Sequence, residues 1–137
     1  MSLLIQNDDL FTIDIYFKEE NGSLEVIEAP SPEDKFEKFS FKRPNWQETR
    51  IVSSASVLVD ANTGKAIIDP FKYMDLRLKL LLKDWTLKDQ EGNKLPITYD
   101  NIDKLHPLLV QHLFGKVEEF LVPIEQVTVP KLAKIEG

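Results

Sequence analysis

The chain contains no cysteine. Disulfides, thiolate metal sites and a cysteine nucleophile are excluded, and a reducing compartment suits the composition without being required by it. Histidine is nearly as scarce, with two residues, His106 and His112. On one helix a separation of six turns through roughly 240°, so the pair cannot chelate from a common face as an i, i+4 pair does. His106 precedes a proline, a position suited to capping a helix. Glycine numbers five, and none sits in a phosphate-cradling run: Gly64-Lys65 lacks the preceding glycine and the following Ser or Thr. No apolar run approaches the ~20 residues of a membrane span, and Asp8 and Asp9 interrupt any signal-like N-terminus. No membrane partner is expected.

Basic charge is also in short supply. Lys and Arg number 17 against 23 Asp and Glu, a net charge of −6. Residues 1–41 hold ten acids and three bases, whereas residues 42–137 hold thirteen acids and fourteen bases. Phosphate neutralisation needs a basic excess, so nucleic acid is not an expected partner. An acidic front and a neutral rear suit a partner-binding protein better than an enzyme. The 137 residues, 42% of them hydrophobic, predict one domain that buries roughly two-thirds of its unfolded surface.

The apolar pattern divides the chain. Phe11, Ile13, Ile15 and Phe17 alternate with polar residues, which predicts a strand with one apolar face. Asn21-Gly22 is the strongest short hairpin signal, because both turn positions need positive φ. Leu24 to Ala29 would return antiparallel until Pro30-Ser31-Pro32 stops it. Ser31 to Asp34 read as the cap and first turn of a short helix, and Phe39-Ser40-Phe41 as a third strand. From Pro44, residues Ile51, Ala55, Leu58 and Val59 fall at helical spacing, which predicts a helix to about Val59 and then a loop. A hairpin of Val57–Val59 and Ala66–Ile68 around Asn62-Thr63-Gly64 is the alternative. Asp69 and Pro70 open a helix carrying Phe71, Met74, Leu78, Leu81 and Trp85. Lys79 and Lys83 suit the negative pole at its end. After a polar loop over 88–94, Thr98 caps a short helix through Leu105. Pro107 opens a last helix with Leu109, Leu113, Val117 and Phe120 on one face. Residues 122–137 carry Pro123 and Pro130 and are expected to be an extended tail.

No residue set points to catalysis, a cofactor or a metal. Setting Gly92 at position six of a calcium loop puts Leu87 and Thr98 where carboxylates are needed, so 88–94 is a solvated turn with Gly92 at positive φ. Ser53, Ser54 and Ser56 lack a nucleophile elbow. Asp100/Asp103 and Glu118/Glu119 read as helix-surface charges. Trp46 and Trp85 are predicted to anchor the helical core, with partner contact as the alternative. The Leu76–Leu82 run is richer in leucine than one core face needs. An exposed stripe there would make Trp46, Leu76, Leu80 and Trp85 candidate partner-binding residues. In the tail, the alternation of Ile124, Gln126 and Thr128 would suit adding a strand to a neighbour.

A longer pattern runs through residues 41–121. FKRPNW at 41–46 precedes a helix; then follow a leucine-rich helix, Lys83-Asp84-Trp85, a Gly92-containing loop, Leu95-Pro96-Ile97-Thr98 and a closing helix. This order resembles the small tail-assembly chaperones, and related baseplate-assembly proteins, of tailed bacteriophages. The matching positions are Arg43, Pro44, Trp46, Trp85, Gly92, Pro96 and Thr98. The resemblance implies non-catalytic work in the host bacterial cytoplasm. Such a protein would bind the long coiled-coil tape-measure protein and tail-tube subunits, keep them dissolved and promote ordered polymerisation, as a monomer or a homo-oligomer. The alternatives are a structural subunit of the virion, such as a baseplate or connector component, and an enzyme of unrelated class.

Together these readings predict an α+β fold. An N-terminal antiparallel hairpin or three-stranded sheet over residues 1–43 would carry the acidity as an appendage. A module of about four helices over 44–121 and an extended tail over 122–137 would follow, in one domain overall.

Overall fold

In the computed structural model, which describes residues 3–121, the alternation near the N-terminus becomes the centre of the fold. Strand β1 (Leu10–Glu20) buries Phe11, Ile13 and Ile15 and exposes Thr12 and Asp14. Asn21 (φ 52°) and Gly22 (φ 80°) turn the chain into β2 (Ser23–Val26), and two consecutive positive φ values match the twist of the flanking strands. β3 (Lys35–Lys42) pairs antiparallel with the whole inner length of β1, from Leu10 opposite Lys42 to Phe17 opposite Lys35. The predicted short helix at Ser31–Asp34 is instead a turn. The Asp34 carboxylate accepts from the Ser31 N–H at 2.8 Å, and the Asp34 N–H bonds back to the Ser31 carbonyl. That local closure competes with helix continuation.

Helix α1 (Trp46–Ala55) starts at Asn45, whose side chain accepts from the Glu48 N–H at 2.8 Å while Glu48 accepts from the Asn45 N–H at 3.1 Å. This reciprocal capping satisfies two donors that a helix start leaves orphaned. The helix ends at Ala55, short of Val59. Val57–Val59 (β4) and Ala66–Ile68 (β5) form the hairpin that was the alternative reading. Stiff β-branched valines favour the extended chain, and Gly64 at φ +70° supplies the return.

Helix α2 (Pro70–Leu81) begins where expected, with the Asp69 carboxylate accepting from the Phe71 and Lys72 N–H groups. It stops four residues before Trp85. Leu82 turns to ψ 120°, and Leu82–Trp85 becomes β6, the fourth strand of the sheet. Spacing alone fits a helix through Trp85. Pairing decides otherwise, because β6 completes the β3 edge, with Trp85 opposite Phe39 and Leu82 opposite Phe41. The sheet order is β2-β1-β3-β6. Thr98 accepts from the Asn101 N–H and caps α3 (Tyr99–Asp103), and α4 (Pro107–Leu121) lies against β1 and β2. The expected tail over 122–137 lies outside the described residues.

One core joins the two halves that charge seemed to separate. Phe11, Ile13, Ile15, Phe39 and Phe41 of the sheet pack with Leu78, Leu81, Leu82, Trp85, Ile102, Leu113 and Val117 of the later elements. The acidic segment is therefore not an appendage but one wall of the core. An antiparallel sheet with helices on one face is an α+β fold, as expected.

Candidate protein-binding surface

The two tryptophans have opposite surroundings. Trp85 is 1% exposed, meets Phe39 edge to face at 6.5 Å, and donates its indole N–H to the Leu95 carbonyl at 2.7 Å. It is a core residue with its polar atom satisfied, as its predicted anchoring role requires, and the alternative of partner contact is corrected. Trp46 is 76% exposed, which corrects its expected place in the core. Helix phase explains why. Val52 and Ser56, four residues apart, are the buried positions on the α1 side of the structure, and Trp46 lies six residues before Val52, roughly 240° around the axis.

The leucine-rich run is likewise not the exposed stripe that its composition suggests. Leu78, Leu81 and Leu82 are buried, Leu80 is half-buried against the core, and Leu76 is half-buried. Its polar residues are fixed too. Arg77, itself buried, pairs with Glu118 on α4 and stacks 5.2 Å from the Tyr73 ring centre. Burial lowers the pKa of its guanidinium, with the Tyr73 hydroxyl partly opposing. Glu118 is thus a tie between α2 and α4 rather than a plain surface charge. Lys79 bridges Asp75 at 3.1 Å and Asp103 at 2.9 Å, and those two carboxylates, Asp103 first, raise its pKa. Ile124, Gln126 and Thr128 lie outside the described residues.

Exposed apolar surface is concentrated elsewhere, on α1, the hairpin and the start of α2. Every residue of β4 and β5 is exposed, with Val59 at 70% and Ile68 at 62%. Leu58 and Ile67 face each other across the hairpin, and Val57 faces Ile68. Phe71, at the first turn of α2, is 73% exposed. A free two-stranded hairpin is marginal in water, yet this one is firmly rooted. The Asp69 N–H bonds the Ser56 carbonyl at 2.8 Å, and the buried Ser56 hydroxyl bonds the Val52 carbonyl at 2.6 Å. At its tip, the Asp60 N–H bonds the Lys65 carbonyl at 2.8 Å. Trp46 projects at the opposite end of α1, beside the exposed Leu3, Leu4 and Ile5. The sequence signal for this surface was present, as two β-branched triplets flanking Asn62-Thr63-Gly64, but triplets of that kind serve buried strands equally well.

At the root of α1, Lys42 is buried and pairs with Glu48. Burial pushes the Glu48 carboxyl up, but the Lys42 ammonium and the Asn45 N–H together outweigh it and hold the pKa below its ordinary value. His106 accepts the Leu108 N–H on Nδ1 at 3.1 Å, the capping role its position suggested. His112 meets Glu28 instead, at 3.3 Å, so the two histidines are not brought together. Asp89 accepts from the Glu91 and Asn93 N–H groups, both at 2.9 Å, and Gly92 has φ +86°, as expected of a solvated turn. Among the described residues no group of three or more His, Asp or Glu is placed to hold a metal ion, and no helix is long and apolar enough to cross a membrane. No protein-family model, curated protein or solved structure matches the chain.

Proposed function

We propose that this chain is a non-catalytic morphogenesis protein of a tailed bacteriophage, a tail-assembly chaperone that binds tape-measure and tail-tube proteins through the α1–hairpin surface. The observation that carries the reading is the hairpin itself. Five large apolar side chains, Val57, Leu58, Val59, Ile67 and Ile68, are between 44% and 70% exposed on a rooted element. Exposed apolar side chains on both faces of a hairpin mark a site for another protein. A coiled-coil client before assembly presents an uncovered apolar seam, and short β-branched strands offer a complementary surface. The order of residues over 41–121 gives the reading its phage context.

The test is affinity capture of the tagged full chain from infected cells, followed by mass spectrometry. Co-purification of a long coiled-coil tail protein is the expected result, together with absence of the chain from purified mature particles. Stoichiometric presence in mature particles would overturn the chaperone reading in favour of a structural baseplate or connector subunit.

A further inference from the structure

The far end of the sheet carries a second feature that the hairpin reading does not use. Helix α4 covers the sheet face only as far as its own first turns, with His106 and Leu109 at the limit. Beyond them the inner face is not covered by any described residue and continues into a cavity of about 360 Å³, framed by Ile15, Phe17, Leu24, Val26, Phe39 and Leu109. That volume lies within the ~300–1,000 Å³ of ordinary ligand pockets. Two carboxylates break the apolar lining. Glu19 lies opposite Leu24, and Glu37 lies opposite Ile15, so both share the inward-facing side of the sheet. The Thr86 hydroxyl donates to Glu37 at 3.0 Å and holds it in place. Across residues 19–37 there are seven acids and one base, Lys35. None of Glu19, Glu20, Glu25 and Glu33 is ion-paired among the described residues.

The cavity also opens at a sheet edge. Among the described residues, β2 has β1 on one side only. The Ile27 N–H bonds the Tyr16 carbonyl at 2.8 Å, and alternation along an antiparallel pair then aims the N–H and C=O groups of Leu24 and Val26 at the open side. Their side chains meanwhile line the cavity. Main-chain partners beside a side-chain pocket are what strand addition requires, and the surrounding negative charge selects a cationic strand.

We propose that this end of the sheet receives an extended, Lys/Arg-bearing segment of another protein, which adds to the open edge of β2 and sets an apolar side chain into the cavity. A small cationic molecule would fill the cavity without using the edge, which is why the edge decides for a polypeptide. The site is independent of the hairpin.

The probe is a seven-residue peptide alternating lysine with valine and leucine, titrated into the isotope-labelled full chain and followed by NMR. Shifts centred on Leu24, Val26, Phe39 and Leu109 are expected, with at least fivefold slower amide exchange at Leu24 and Val26. The paired substitution Glu19→Lys with Glu37→Lys should weaken this peptide at least tenfold and favour the glutamate counterpart. If that variant fails to fold, Glu19→Gln with Glu37→Gln should still weaken binding several-fold. The hairpin variant Val59→Asp with Ile68→Asp should bind the peptide like the unmodified chain. Equal binding of the glutamate peptide, or shifts centred on residues 57–68, would overturn the proposal. So would concentration-dependent shifts at the cavity without peptide, which assign it to a second copy. Nuclear Overhauser contacts from residues 122–137 to Leu24 would assign it to the chain's own tail and overturn it as well.

Discussion

Trp85 and Trp46 sit on two parts of one molecule that handle apolar surface in opposite ways. Around Trp85, four strands and two long helices enclose the core, and the indole N–H finds a carbonyl partner. Around Trp46, a ten-residue helix and a hairpin of two three-residue strands keep Val52 and Ser56 inside and leave nearly every larger apolar side chain in water. The difference teaches where folding stability resides and where apolar surface stays exposed. Apolar burial drives the first part. The second is held by backbone anchors at its root, with a capping box at one end of α1 and the Ser56–Asp69 bond at the other.

The sharpest way to break this comparison is to swap what each part is asked to tolerate. Trp85→Ala should cost about 3–5 kcal/mol, read as a fall in the urea midpoint. A loss under 1 kcal/mol would mean that the β3–β6 seam is not the centre of the core. Lys42→Met removes the partner of a half-buried carboxylate and should cost about 1.5–3 kcal/mol by the same measurement. Adding Glu48→Gln to that variant should recover part of the loss.

Acid sharpens the comparison at the root of α1. The folded-state pKa of Glu48 lies below its ordinary 4.5, and that of Asp84 below its ordinary 3.8 because of Lys94. A depressed carboxylate contributes stability that is present above the ordinary value and lost as pH falls through the folded one. The melting temperature should therefore hold above about pH 5 and fall below pH 4.5, with a weaker fall in Glu48→Gln. At the small end, Trp46→Phe should change stability by no more than about 0.5 kcal/mol. It should also remove the red-shifted, iodide-quenchable part of the tryptophan emission. Strong quenching that persists from Trp85 alone would contradict its burial.

Much of this division can be read in the residues, and what cannot has a physical cause. The alternation of Phe11, Ile13 and Ile15 and the Asn21-Gly22 turn dictate the sheet, because a one-residue slip would turn every buried side chain to water. Pro107 with Leu109, Leu113 and Val117 dictates α4. Asn45-x-x-Glu48 was a legible capping signal that places the start of α1 two residues later than Pro44 alone suggests. Strand β6 is different in kind. Leu82-Lys83-Asp84-Trp85 suits a helix by spacing, and only the unpaired edge of β3, forty residues earlier in the chain, makes it a strand. The leucines of α2 mislead for a related reason. Counted along one helix they exceed a single face, but α2 is covered by α1, α3 and α4 together. The candidate surface was the least legible part, since β-branched triplets look alike whether a core or a partner covers them.

The central claim is that the hairpin is surface kept for a partner, and the most direct measurement compares two full-length chains in infected cells. The unmodified chain and the Val59→Asp/Ile68→Asp variant, each with its melting temperature recorded, are captured under identical conditions. The expected result is that the long coiled-coil tail protein accompanies the unmodified chain and falls at least tenfold with the variant, while the two melting temperatures agree within a few degrees. Equal recovery with both chains would contradict the claim.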